Sequence, residues 1–434
     1  MNRRWFLART GLVLGAGAFS TPPRLAGAES ASDDLGDWVA VRDQFDFARD
    51  WINMACLLFA SHPKPVREAI ERHRRAFDAN PILYVEERFL DGDKAVLQAA
   101  AEYMGVDPLD IALTDSTTMG AGILYAGLAI RPDQEILATT HEHFSSDLSL
   151  RYKARVSGAA YRRITLYDDS ARATKEGLVQ ALAKAIRPET RIVAVTYVHS
   201  CSGVKLPIRE MAEALARANA GRKQEDRAIL CVDGVHGFGV ENVTMSDLGC
   251  DFFFAGTHKW IFGPRGTGLV WGKHEAWNIL APTIPPFEIE TVRGWLSGKT
   301  VEPVRKASAI SPGGYQPYEH RWSVGEAFGF HMAIGKARVE RRIHSFATHV
   351  KEGLARMPHV TLHTPMSEEL SSGIVCFEVD GLKPGEVVAA LKEKRILAST
   401  TPYPVSYARL TPGLLNSEQE VAATLRAMAE LKRA

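Results

Sequence analysis

The sequence predicts an α/β protein: one large domain built on a mostly parallel sheet, followed by a smaller α+β domain. Three observations carry that reading. Apolar runs such as RIVAVTYV (residues 191–198) and CDFFFA (residues 250–255) lack polar alternation, as strands buried on both faces of a parallel sheet do. Amphipathic stretches such as KEGLVQALAKAI and IREMAEALARANA fall between such runs, so strand and helix alternate. The 434 residues are enough for a large domain and a small one, and 46% hydrophobic content is ordinary for a globular chain.

In chain order, the first residues read as an address. Arg3 and Arg4 precede Trp5, Phe6 and Leu7, then a Gly/Ala-rich core and the small residues Ala26, Gly27 and Ala28. This looks like a twin-arginine signal over residues 1–28, predicting recognition by the twin-arginine export machinery and a periplasmic location. Its apolar run, residues 11–19, is far shorter than the ~20 residues of a membrane span, so no stable membrane anchor is expected. Cleavage removes four arginines and no acid, taking the formal charge from +1 to −3. Neither value gives the basic footprint of a nucleic-acid binder. Five cysteines show no metal spacing, and an odd number leaves at least one thiol free; Cys231, Cys250 and Cys376 sit in apolar runs and read as packing residues. No metal site is expected.

Residues 29–60 read as an N-terminal segment with a first helix, residues 61–305 as the large domain and residues 306–434 as the small one. Pro63 and Pro65 open a helix, leaving Ser61 either as its cap or, with His62, near a substrate. Next comes the strand DIALTD, then STTMGAG, then a helix. Ser116, Thr117 and Thr118, with Gly120 and Gly122, place hydroxyls and free N–H groups at a helix start, where an anion is favoured. The strand EILATT is followed by His141 and His143. AAYRRITL precedes residues 191–198, whose carboxyl end, from His199 to Gly203, should face the same crevice. ILCVD ends on Asp233, a carboxylate that burial makes costly unless a cation meets it. His236 follows three residues on.

The stretch FFFAGTHKWIFGPRGTG (residues 252–268) delivers Lys259 to the lip of a buried strand. A lysine there either snorkels to solvent or is paired or used covalently. Residues 281–322 are rich in Pro and Gly, and should wrap the entrance and a dimer interface. A long helix over residues 323–356 then leads to the strand GIVCFEVDG, the helix GEVVAALKEKR, the strands ILAST and YARLT, and a last helix opened by the capping box Ser417–Glu420.

His258-Lys259 with Gly263-Pro264-Arg265-Gly266, preceded by Asp233 and His236, resembles the class V aminotransferase group of fold-type I pyridoxal-phosphate (PLP) enzymes. That group includes cysteine desulfurases and isopenicillin N epimerase, and the likeness runs from about Asn53 to the C-terminus. It implies a fold-type I large domain with a mostly parallel seven-stranded sheet, PLP as cofactor and a homodimer. It implies that Lys259 is the catalytic, PLP-linked residue and that Thr117, Thr118 and His258 belong to the cofactor site. It further implies that His143, with His141 as competitor, covers the pyridine ring. Asp233 would meet the ring nitrogen, and His236 and Ser200 the ring oxygen. Arg409 and His62 would be substrate-binding, with Arg409 gripping the carboxylate.

The Gly-Thr pair by which such enzymes often receive a partner-subunit contact is missing near Glu319, His320 and Arg321. ASTTPYPVSYARL (residues 398–410) carries no cysteine, which sets aside persulfide chemistry. The likeness is greatest to the isopenicillin-N-epimerase-like branch. Together with the export signal it implies a periplasmic PLP enzyme that tailors the glutamate side chain of a pyoverdine-type siderophore. Substrates are thus small molecules or a siderophore peptide. Epimerase, aminotransferase and C–S lyase chemistry are the alternatives, and a non-catalytic periplasmic binding protein is the alternative from another class. An intact Lys259, Asp233 and Arg409 set argues against the last.

Overall fold

The computed structural model describes residues 35–298 and 306–431, so the signal read over residues 1–28 lies outside the described residues. The centre is a seven-stranded sheet. Its strands are β2 (Ile111–Thr114), β3 (Glu135–Thr139), β4 (Ala160–Ile164), β5 (Thr190–Thr196), β6 (Ile229–Asp233), β7 (Phe252–Gly256) and β8 (Gly268–Gly272), in the order β2-β8-β7-β6-β5-β3-β4. Pairing is parallel from β4 through β3, β5 and β6 to β7. Only β8 departs, running antiparallel to both β7 and β2.

Side-chain alternation explains why these runs are apolar throughout. Ala194, Cys231 and Phe254 belong to one buried cluster with Leu124 and Leu150 of the helices Thr117–Gly127 and Phe144–Ser157. Val193, Val232 and Phe253 belong to another with Met211 and Phe328 of the helices Ile208–Ala218 and Val324–Ile334. Both faces are covered, so the middles of these strands are apolar. Buried polar residues sit at the strand ends: Glu135, Thr190 and Arg191 at the amino ends, and Thr139, Thr196 and Asp233 at the carboxyl ends.

The C-terminal part has its own four-stranded antiparallel sheet: β9 (Val360–Leu362), β10 (Val375–Val379), β12 (Ser399–Thr400) and β13 (Ala408–Leu410), in the order β12-β13-β10-β9. Here β1 (Ile52–Asn53) pairs in parallel with β11 (Ile396–Leu397), so the N-terminal segment joins this part of the molecule.

Four local features differ from the sequence reading. The hydroxyl-rich stretch Thr117–Gly122 is already helical, because Ser116 caps it by accepting from Met119 N–H at 3.1 Å. The single helix expected over residues 323–356 is two helices, Val324–Ile334 and Lys336–Ala355, parted at Gly335 with φ +93°. The helix Pro81–Met104 is absent from the patterning above, although Asn80 and Pro81 open it and Gly105, at φ +69°, closes it. Ser61 is not the cap of the next helix, whose cap residue is Pro63. All five cysteines are free thiols.

The loop after β5 fastens the two parts together. Thr364 Oγ1 donates to Ser202 O at 2.7 Å, and Lys205 N–H to Leu370 O at 2.8 Å. Between them Gly203 turns at φ +77°, and a Cβ there would lie 2.4 Å from Ile374 O and 2.6 Å from Thr364 Oγ1. Gly203→Ala combines a left-handed backbone with a backbone clash. It should lower stability by about 2 kcal/mol or more, read as a fall in thermal midpoint.

Candidate active site

The site stands at the carboxyl ends of the central strands, where side chains can leave the sheet without being covered by it. Gly256 ends β7, and a tight turn carries the chain to Lys259. Gly263 N–H reaches back to Thr257 O at 2.8 Å, and Phe262 takes φ +61°, unusual for a residue with a side chain. Ring packing holds it there, with Phe45 at 5.1 Å and His331 at 5.7 Å. The turn is thereby rigid beneath Lys259.

Lys259 is partly buried, and its Nζ lies 3.4 Å from His236 Nε2. Burial lowers its pKa to about 8, against the pull of Asp233. Trp260 Nε1–H points at His236 Nδ1 at 3.4 Å, so a neutral His236 carries its proton on Nε2, facing the lysine. Asp233, the last residue of β6, is 2% exposed. Its carboxylate accepts from Ser146 Oγ and Val235 N–H, each at 3.2 Å, and no cation pairs with it among the described residues. Burial pushes its pKa up to about 6, offset by that N–H and by Lys259.

Arg409, on β13, is a guanidinium at 2% exposure. Nε donates to Ser399 Oγ at 3.0 Å, Nη1 to Ser200 O at 2.9 Å and Nη2 to Thr400 O at 3.3 Å. Of its five N–H groups one remains on each terminal nitrogen, and no carboxylate meets it among the described residues. Burial lowers its pKa as well. A fork of this kind, buried and unpaired, is shaped for a carboxylate from outside the chain.

His143 caps the helix Phe144–Ser157, with Nδ1 against Ser145 Oγ at 2.8 Å. Burial first, then the nearby Lys259 and Arg409 charges, bring its pKa down to about 4. His141 is held elsewhere: it stacks on Tyr167 at 4.0 Å, and its Nε2 accepts from Leu166 N–H at 3.2 Å.

Thr117 Oγ1 accepts from Gly256 N–H at 2.8 Å, which ties the helix start to the strand that carries Lys259. His258 Nδ1 is buried without a partner close to that hydroxyl, since a Cβ on Gly256 would meet both, at 3.0 and 2.9 Å. Thr118 is exposed on the same first turn. His62 sits against the loop after Lys259, donating to Phe262 O at 3.4 Å. Ser200 Oγ is engaged by Tyr403 OH at 2.8 Å. At the doubtful partner-subunit position, Arg321 is committed to Asp93 through two bonds, at 2.9 and 2.7 Å, and His320 meets Arg265 O.

Two neighbours have no counterpart in the sequence reading. Glu142 is buried, accepting from Thr139 Oγ1 at 2.7 Å and Thr196 Oγ1 at 2.6 Å, and desolvation raises its pKa to about 8. Tyr403 enters from the loop before β13. An acid next to His143, and an aromatic residue in a polar loop just ahead of Arg409, are the signals that could have marked them. A separate cleft of about 590 Å³ opens at the amino ends of the strands, lined by Arg209, Asp251, Trp271 and Lys273, and holds none of these residues.

The aminotransferase class-V family model matches residues 60–405. The chain belongs to that family. It is 27% identical to isopenicillin N epimerase of Streptomyces clavuligerus over 89% of this chain and 96% of that one. It is 26% identical to a cysteine desulfurase of Pectobacterium carotovorum subsp. carotovorum over 74% and 75%. Among solved structures, a mutant of C-DES with glycine covalently linked to its PLP cofactor superposes with a TM-score of 0.80 at 22% identity, covering 90% of this chain and 99% of that one. A complex of the cystine C–S lyase C-DES with cysteine persulfide gives 0.77 at 22% identity, covering 88% and 98%. The fold is therefore fold-type I, and this class V enzyme depends on PLP.

The residues fit that cofactor. An uncompensated buried carboxylate at 233, an amine at 259 with a lowered pKa, and an orphaned His258 nitrogen at a helix start are the donors and acceptors a phosphorylated pyridine aldehyde needs.

The sign of the Asp233 shift gives a pH signature. A carboxyl whose folded pKa is raised destabilises the fold above that pKa, and the penalty disappears below its unfolded value. Without cofactor, Asp233→Asn should therefore be more stable than the parent by about 3 kcal/mol at pH 7–8. The advantage should fade between about pH 6 and 4, as followed by thermal denaturation.

Proposed function

We propose that this chain is an exported PLP-dependent enzyme acting on the amino group of an amino acid or a peptide-linked amino acid. We further propose that its substrate is the glutamate-derived side chain of a pyoverdine-type siderophore, met in the periplasm. The carrying observation is Arg409, a buried guanidinium with one free N–H on each terminal nitrogen and no acid of its own, in the crevice that holds Lys259 and Asp233. Family membership supports the amine chemistry. The paired arginines and small-residue cleavage motif of residues 1–28 support export, and the twin-arginine route suits a protein that must fold around its cofactor first.

When bound, the cofactor supplies an aldehyde that bonds an amine and a ring that draws electrons from the substrate α-carbon. The protein supplies the rest. Asp233 would meet the cofactor's ring nitrogen, and its burial would make that pairing favourable. Thr117, Thr118, His258 and the helix start would hold the phosphate, and His143 would cover the ring. His236 and Ser200 would serve the ring oxygen. Arg409 seats the substrate carboxylate and thereby fixes the α-carbon near Lys259, while His62 lies at the mouth. Lys259, with its pKa near 8, exchanges a proton between its amine and that carbon at neutral pH.

The isopenicillin N epimerase relative, matched along nearly its whole length, favours a second reading in which a proton leaves and returns to the α-carbon with inversion. The site is read as half of a homodimer's pair, acting on small molecules.

Two experiments test the reading. The purified enzyme should carry an absorbance band near the edge of the visible that borohydride removes, and Lys259→Ala should lack it; an unchanged band in the variant contradicts the assignment of Lys259. In a siderophore-producing host, deleting the gene should change the mass of the secreted siderophore's acidic side chain. An unchanged mass rules out the pyoverdine substrate and leaves the amine chemistry standing.

A further inference from the structure

Ser200, at the carboxyl end of the β5 strand, is gripped twice from the small domain. Arg409 Nη1 donates to its carbonyl oxygen at 2.9 Å, and Tyr403 OH meets its hydroxyl at 2.8 Å. Two side chains, from one loop and its following strand, thus converge on a single residue. One is a guanidinium with N–H groups to spare, the other a phenol whose only side-chain hydrogen-bond partner among the described residues is a serine hydroxyl. Serine satisfies the phenol equally well as donor or acceptor, so Tyr403 is free to turn its proton elsewhere at little cost. Its ring meets His143 edge-on, with centroids 6.3 Å apart and planes at 74°. That contact seats the ring beside His143, with the hydroxyl on the same residue that Arg409 holds.

We propose that Tyr403 is the second half of the substrate-carboxylate clamp. When an amino acid seats its carboxylate on Arg409, the Tyr403 hydroxyl leaves Ser200 and donates to a carboxylate oxygen, which has lone pairs beyond the two that the guanidinium fork uses. The ligand class is an amine bearing an α-carboxylate, and the inference rests on the substrate-binding reading of Arg409 above. A neutral donor suits the place: a second cation would raise the cost of burying Arg409, whereas a phenol adds a bond to a charged acceptor and no charge. Burial keeps the phenol protonated, its pKa raised well above the ordinary tyrosine value. The same residue sits in the loop where the sequence lacks the cysteine of persulfide chemistry, so the loop is furnished for binding.

The test compares two amines that differ only by a carboxylate. The PLP-loaded enzyme is titrated with glycine and with methylamine, following the cofactor's absorbance. Tyr403→Phe, which keeps the ring against His143, should weaken glycine about 10- to 100-fold, the worth of one hydrogen bond to a charged group, and leave methylamine unchanged. Equal weakening of both amines by Tyr403→Phe overturns the proposal, since it marks a structural tie, as does unchanged glycine affinity, since the phenol then meets no carboxylate. A parent enzyme whose band responds equally to both amines at equal concentration overturns the clamp together with the Arg409 reading. If the parent prefers glycine, Arg409→Lys abolishes the preference and Tyr403→Phe keeps it, the clamp alone falls.

Discussion

Burying charge without a partner is the constraint on which this structure turns. Asp233 at the end of β6 and Arg409 on β13 are each almost wholly removed from solvent, and neither forms an ion pair among the described residues. A chain selected only for stability would pair or remove such groups, because isolated buried charge costs several kcal/mol. Here the two are kept apart, one satisfied by a hydroxyl and a backbone N–H, the other by a hydroxyl and two carbonyls. What completes each of them comes from outside the polypeptide. The lowered amine of Lys259 and the raised carboxyl of Glu142 are side effects of the same dry crevice.

The sheet makes that crevice possible. Apolar side chains fill both faces through the middles of the central strands, and at their carboxyl ends polar groups begin where the backbone leaves the sheet. Asp233 and Thr196 are register neighbours on adjacent strands, so the acid and the hydroxyl that supports Glu142 emerge side by side. Thr117 Oγ1 on Gly256 N–H fixes the start of the helix Thr117–Gly127 to the strand that delivers Lys259. Local geometry of the site is thus inherited from ladder register, with side-chain flexibility left little to decide.

Much of this is legible in the sequence. The unbroken apolar runs announce buried parallel strands, and the Asp, His-Lys and Arg positions fall at their ends. What the patterning cannot carry is anything set by distant packing. Two helices separate at Gly335 because the chain needs a left-handed residue there, while hydrophobic periodicity runs straight through it. His141 and His143 are equivalent in sequence, and only the stacking of His141 on Tyr167 tells them apart. Tyr403 is hidden for the same reason. A polar, proline-containing loop reads as surface until the small domain lays it against Ser200.

The parallel pairing of β1 with β11 has a consequence for the life of the chain before it works. Ile52 and Asn53 find their partners at Ile396 and Leu397, and Met54 O accepts from Thr411 N–H, so one of the first segments to emerge from the ribosome waits for one of the last. Loop closure of that span is slow and gains nothing until synthesis is nearly finished. The pairing of β1 with β11 can therefore form only once nearly all of the chain is available.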